Sequence, residues 1–169
     1  MQATKNDDEM RMKVREMISG IGTAIFTTID GHGRLHGRPM RTQKPDEDGV
    51  TLWFFTRSDS PKIAELEKDD RVLLGYSDTR SEDYVSIYGR GRVVVDAEKK
   101  KALWTEGLRT WLPEGPESPE VGLIAVTIEG AEYWDGISSS LRFAFGYAEA
   151  LVTGRPDTGG ENAKVSFQR

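Results

Sequence analysis

The sequence predicts a mainly β domain of the α+β kind, six antiparallel strands in a closed or nearly closed barrel with helices at its periphery. Three observations carry this. Six segments are rich in β-branched and aromatic residues and are bounded by turns rich in Gly, Pro, Asp or Ser. Turns of hairpin type, such as Asp30-Gly31-His32-Gly33, join consecutive strands. Helical periodicity is confined to the ends and to short segments between strands, and at 169 residues the chain suits one domain spanning 1–169.

Met10, Val14, Met17 and Ile18 recur at helical spacing among charges, which predicts an amphipathic helix from Asp8 to Ser19 that closes at Gly20 within an N-terminal segment 1–20. Thr23 to Ile29 and Leu35 to Thr42 flank the turn Asp30-Gly31-His32-Gly33 and form a hairpin. The turn Pro45 to Gly49 leads into a strand from Val50 to Thr56. A short helix follows from Ser60 and Pro61, residue types suited to a helix start. Arg71 to Ser77 is a fourth strand, and Tyr84 to Val95 a fifth. On the fifth, Val85, Ile87, Val93 and Val95 share one parity with Gly89 and Gly91, so those glycines mark a bend or the close approach of another backbone. Ala97 to Leu108 reads as a charged helix, and Thr110 to Pro119 as a loop with Trp111 and Leu112 at its start. The sixth strand runs from Gly122 to Asp135, with a bulge at Gly130 setting the register that delivers Trp134. The C-terminal segment 138–169 reads as a helix from Ser138 to Leu151 followed by a Gly-rich tail.

Composition narrows the function. The net charge is −5 with scattered basic residues, which argues against a nucleic-acid partner. Absence of cysteine excludes disulfides and thiolate ligands. His32 and His36 are too few for a typical histidine-built metal site and read as surface residues, so no metal is expected. With no signal-like segment and no run long enough to cross a bilayer, the expectation is a cytoplasmic protein without a membrane partner.

The chemistry concentrates between Leu52 and Lys62. The apolar strand Leu52-Trp53-Phe54-Phe55 turns abruptly into Thr56, Ser60 and Lys62 at a helix start, where free N–H groups and hydroxyls favour an anion. On the second strand Arg38 and Met40 face one way and Pro39 and Arg41 the other. Proline there implies an edge or a local break. These residues suit a phosphate joined to a flat ring. They equally suit a plain N-cap, a solvated lysine and a buried aromatic core, and spacing alone leaves both readings open.

The order Arg38-Pro39-Met40, Phe55-Thr56, Ser60-Pro61-Lys62, Tyr84-Val85-Ser86-Ile87-Tyr88-Gly89 and Glu132-Tyr133-Trp134-Asp135 resembles the split-barrel flavoproteins related to pyridoxamine 5'-phosphate oxidase, and within them the general stress protein branch. The likeness spans about Met17 to Asp135. It implies a Greek-key split barrel, FMN as cofactor and a homodimer with FMN at its interface. By the same resemblance Arg38, Pro39, Met40, Arg41, Thr42 and Gln43 run along the flavin, Phe55 and Thr56 lie beside it, Lys62 holds its phosphate, and Trp134 comes from the second subunit.

Three positions depart from the oxidase pattern: Pro61 replaces an arginine, Gln43 a substrate-contacting lysine, and Tyr84 a glutamine at the flavin edge. The oxidase's Tyr-x-x-x-Arg-x-x-x-Ser run and Arg-Leu-His-Asp-Arg ending are missing, so vitamin B6 oxidase activity is not expected. The expectation is an FMN-dependent oxidoreductase, with the stress-related role that the resemblance implies, acting on a small substrate with NAD(P)H as one candidate electron donor and no catalytic residue identified. A non-catalytic flavin-binding stress protein, or the same barrel holding F420 or haem, stands as the alternative.

Overall fold

The computed structural model describes residues 5–46, 48–136 and 161–167. It contains a seven-stranded antiparallel sheet with helices at its periphery, one strand more than the sequence predicts. Helix α1 (Lys5–Ile21) buries Val14, Met17 and Ile18 against the sheet. It closes two residues later than expected. Gly22, with φ at 76°, donates its N–H to the Ile18 carbonyl at 2.8 Å, and such a left-handed cap costs glycine nothing.

Strands β1 (Thr23–Ile29) and β2 (Leu35–Arg41) form the expected hairpin. The Asp30 carboxylate ties its turn by accepting the backbone N–H groups of His32 and Arg34. The Arg34 N–H bond leads in holding the Asp30 carboxyl down at about 2; burial opposes it, and the His32 N–H and the Arg34 side chain assist. Strand β3 (Thr51–Arg57) is followed by α2 (Pro61–Lys68), β4 (Arg71–Asp78) and β5 (Asp83–Val94). Then come α3 (Ala97–Leu103), a 3₁₀ turn (Glu106–Thr110), β6 (Val121–Asp135) and β7 (Glu161–Ser166). The continuous helix expected to reach Leu108 is broken. Trp104, with extended backbone at φ −67° and ψ 139°, ends α3 and redirects the chain into the 3₁₀ turn.

The strand order is β2-β1-β4-β5-β6-β3, with β7 adding to β6. Glu161–Ser166, read from the sequence as part of a Gly-rich tail, is therefore a strand. It is short and alternates only through Ala163 and Val165, a weak periodic signal. The helix expected from Ser138 to Leu151 lies outside the described residues. Among the described residues no helix is long and apolar enough to cross a membrane.

On β5 the buried parity holds from Val85 through Gly91 and then fails, since Val93 is only partly buried and Val95 is fully exposed. The glycine reading holds where backbones meet. A Cβ on Gly89 would lie 2.1 Å from the Thr127 carbonyl oxygen, so only glycine admits β6 at that distance. There the β5–β6 register shifts: Tyr88 faces Gly130 while Gly89 faces Ile128, leaving Glu129 as the extra residue of a bulge. Beyond it Trp134 stands opposite Tyr84.

The sheet curls until its two edges touch. Thr42 bridges Phe54, and the Gln43 N–H donates to the Trp53 carbonyl at 2.9 Å. Continuing that register would set Arg41 opposite Phe55, Met40 opposite Thr56 and Pro39 opposite Arg57, but no ladder forms between those residues. The barrel is split there, between β2 and β3. Pro39, which has no N–H to donate, lies on an edge strand as its residue type requires.

Strand β3 is covered on both sides. Leu52 and Phe54 belong to the main core, where Phe54 meets Phe26 edge-to-face at 5.1 Å. Trp53 and Phe55 belong to a second cluster with Leu108, Leu112, Val121, Leu123 and Ala125. The segment after α3 thus folds back over the outer side of β3, and Phe55 packs edge-to-face on Trp104 at 5.4 Å.

Candidate functional site

The unzipped end of β2 and β3 opens a cleft of about 570 Å³, within the range of small-molecule sites. Of the residues singled out from the sequence, Arg38, Pro39, Met40, Arg41, Gln43, Phe55, Thr56 and Lys62 line it. Thr23, Arg57, Leu108, Trp111 and Leu112 line it as well, and sequence reasoning did not include them. Ser60 reaches the site through Lys62. Thr42 instead bonds the buried Tyr76 hydroxyl at 2.7 Å. Burial raises the Tyr76 hydroxyl well above its ordinary value, with the Thr42 bond opposing.

Lys62 is the central group of the cleft. It enters from the first turn of α2, and the residue is only 8% exposed. Its Nζ donates to Thr56 Oγ1 at 2.8 Å and to Ser60 Oγ at 2.6 Å. Ser60 occupies the N-cap position, but its side chain makes no cap bond and takes the ammonium instead. Two of the three ammonium N–H donors are thereby used, both on neutral hydroxyls. No ion pair to Lys62 occurs among the described residues. Burial, and next the repulsion of Arg38, lower its proton affinity below the ordinary lysine value, while Glu65 pulls the other way. A buried cation held this way gains from an incoming anion.

Arg38 is the second cation, its side chain 18% exposed. Its guanidinium donates to Glu65 Oε2 at 2.7 Å, to the His36 carbonyl at 2.8 Å and to the Thr28 hydroxyl. The Thr28 hydroxyl donates in turn to Glu65 Oε2, and His36 Nδ1 lies 3.3 Å from Glu65 Oε1 and 3.1 Å from Arg38. Burial would raise the Glu65 carboxyl, yet the Thr28, Arg38 and His36 bonds outweigh it and hold the group below its ordinary value. His36, expected to be a plain surface residue, is tied into this network. Glu65 lies on α2 three residues beyond Lys62, so one helix carries both the buried ammonium and the carboxylate that fixes the neighbouring arginine.

The remaining cations sit at the rim. Arg57 is engaged by Asp59 and Glu114, whereas Arg41 makes no ion pair among the described residues. Tyr84 and Trp134 are not among the cleft-lining residues of their own chain. They form a cross-strand pair on β5 and β6, 40% and 38% exposed. The donor set of Lys62, Ser60 and Thr56 matches a phosphate, and the apolar lining from Met40, Phe55, Leu108 and Leu112 matches a flat ring.

The same chain is similar to known proteins over most of its length. A family model described as pyridoxamine 5'-phosphate oxidase like matches residues 8–157. Protein bli-3 of Neurospora crassa is 25% identical over 154 residues, covering 86% of this chain and 74% of its relative. General stress protein 26 of Bacillus subtilis is 25% identical over 127 residues, covering 73% and 87%. The crystal structure of the general stress FMN/FAD binding protein from Xanthomonas citri aligns with a TM-score of 0.68 at 28% identity, over 78% of this chain and 92% of that one. With an antiparallel barrel split between β2 and β3 and a family match that runs from the first helix past the last central strand, this chain belongs to the pyridoxamine 5'-phosphate oxidase-like family.

Proposed function

We propose that the split between β2 and β3 binds FMN, with the phosphate on Lys62, Thr56 and Ser60, and that the chain acts as an FMN-dependent oxidoreductase on a small substrate. One observation carries this reading: Lys62 is a buried ammonium whose only partners among the described residues are two hydroxyls, in a cleft that also holds an apolar wall. The Xanthomonas citri relative, described as FMN/FAD binding, supports it.

When bound, the flavin supplies the electron and hydride chemistry. The residues of this chain bind and orient it. Lys62 balances phosphate charge, Glu65 keeps the Arg38 guanidinium in place beside the cleft, and Phe55, Leu108 and Leu112 exclude water from the ring. We further propose a homodimer in which the partner's Tyr84–Trp134 pair completes the site, because in their own chain these two exposed aromatics lie outside the cleft lining.

The visible absorbance spectrum of the purified protein tests the cofactor, and mass spectrometry of the released group distinguishes FMN from FAD, F420 and haem. Rapid reduction of the bound flavin by NAD(P)H, with reoxidation by a specific acceptor, supports turnover. A flavin inert to every donor makes the protein a flavin carrier.

A further inference from the structure

Trp111 stands at the mouth of the cleft on a turn whose neighbours are anchored. Leu108 and Leu112 on either side are buried in the cluster that covers β3. The turn is closed by the Trp111 and Leu112 N–H groups, which donate to the Leu108 carbonyl at 3.0 and 2.9 Å, and by Arg109, which donates to the Pro113 carbonyl at 3.3 Å. The Lys100 ammonium ties the far end of the segment by donating to the Ser118 and Val121 carbonyls at 2.9 and 2.8 Å. A large apolar ring therefore stands on a fixed base.

That ring is 68% exposed. Its indole makes no hydrogen bond or ring contact among the described residues, unlike Trp104, which meets Phe55, Arg109 and Glu106, and Trp53, which lies under Lys99. Exposing so much aromatic surface beside a cleft is informative where an isolated exposed leucine is not. The Lys62 ammonium and the Thr56 hydroxyl that it meets lie on the inner side of β3. Trp111 belongs to the layer on its outer side.

From this placement we infer that Trp111 is the ring-recognition residue of the cleft, stacking on the flat part of the bound molecule while Lys62 holds its anion. The inference rests on the flavin reading and adds the residue that selects for an aromatic ring over a simple phosphate ester. Stacking is sequence- and substituent-tolerant because any planar heterocycle presents a π-face. Trp111 therefore acts on the ring whether or not the ligand carries a phosphate.

The test uses FMN and riboflavin as probes, titrated by fluorescence into the full chain and into Trp111→Ala, Trp111→Phe and Lys62→Met. In Trp111→Ala both flavins lose about 5- to 100-fold in affinity and their affinity ratio is unchanged. Trp111→Phe recovers most of the loss, and thermal unfolding of both variants stays that of the unaltered protein because the side chain is exposed. In Lys62→Met only FMN weakens, so the FMN-to-riboflavin ratio collapses toward one. If Trp111→Ala binds both flavins as tightly as the unaltered protein, the inference is overturned while the flavin reading stands. If the unaltered protein binds neither flavin, both are overturned.

Discussion

Replacing Lys62 with methionine separates ligand binding from fold stability. The substitution keeps most of the aliphatic stem and removes the ammonium. In the free protein that ammonium is buried against two hydroxyls, with no carboxylate in ion-pair range among the described residues. Burying a charge without a counter-charge is costly, so losing it leaves the thermal midpoint unchanged or raised, even though Thr56 and Ser60 lose a donor. The effect on FMN has the opposite sign. One ammonium N–H remains for the ligand, and a charge-assisted hydrogen bond is worth about 1.5–3 kcal/mol. Affinity therefore falls about 10- to 150-fold in a fluorescence titration. A lowered midpoint together with unchanged FMN affinity would make Lys62 a structural residue and place the phosphate elsewhere.

The same group fixes a pH dependence. The folded-state proton affinity of Lys62 is below the ordinary lysine value, so the unfolded chain binds this proton more tightly. Stability of the free protein therefore rises with pH between the lowered folded value and the ordinary one. FMN favours the protonated lysine, so its affinity falls as pH rises through that lowered value. On the acid side affinity rises as the phosphate loses its second proton near pH ~6. Lys62→Met retains the acid limb of this profile and loses the alkaline one.

Other outcomes follow from the same structure. Glu65→Gln breaks the charged bond to Arg38 and destabilises the fold by roughly 2 kcal/mol in chemical denaturation at neutral pH. Because the Glu65 carboxyl is held below its ordinary value, its contribution is present above that value and is lost as pH falls through the folded one, so the variant shows a shallower acid dependence. Gly89→Ala forces a Cβ against the Thr127 carbonyl and costs about 3 kcal/mol, read as a lower denaturation midpoint; an unchanged midpoint would mean that β6 can move away. Sedimentation of the flavin-loaded protein gives a dimer, and Trp134→Ala weakens FMN binding. A monomer with full FMN affinity would remove Trp134 from the site.

The hairpin turn, the strand positions and the glycine approach at Gly89 were legible because each rests on local chemistry: a capping aspartate, period-two burial, or a missing Cβ. The corner of Thr56, Ser60 and Lys62 was legible for the same reason, since seven consecutive residues contain all three groups. What was not legible depended on distant packing. Nothing near Leu108 to Leu112 in sequence says that this segment covers β3, fifty residues away, so Trp111 read only as a loop residue. Glu65 looked like one more charge on a short helix until β1 and β2 brought Thr28 and Arg38 to it. Strand β7 needed β6 as a template.

A crystal structure of the protein grown with FMN tests the central claim most directly. Flavin density is expected in the split between β2 and β3, with a phosphate oxygen accepting from Lys62 Nζ. Flavin bound elsewhere, or a phosphate distant from Lys62, would contradict it.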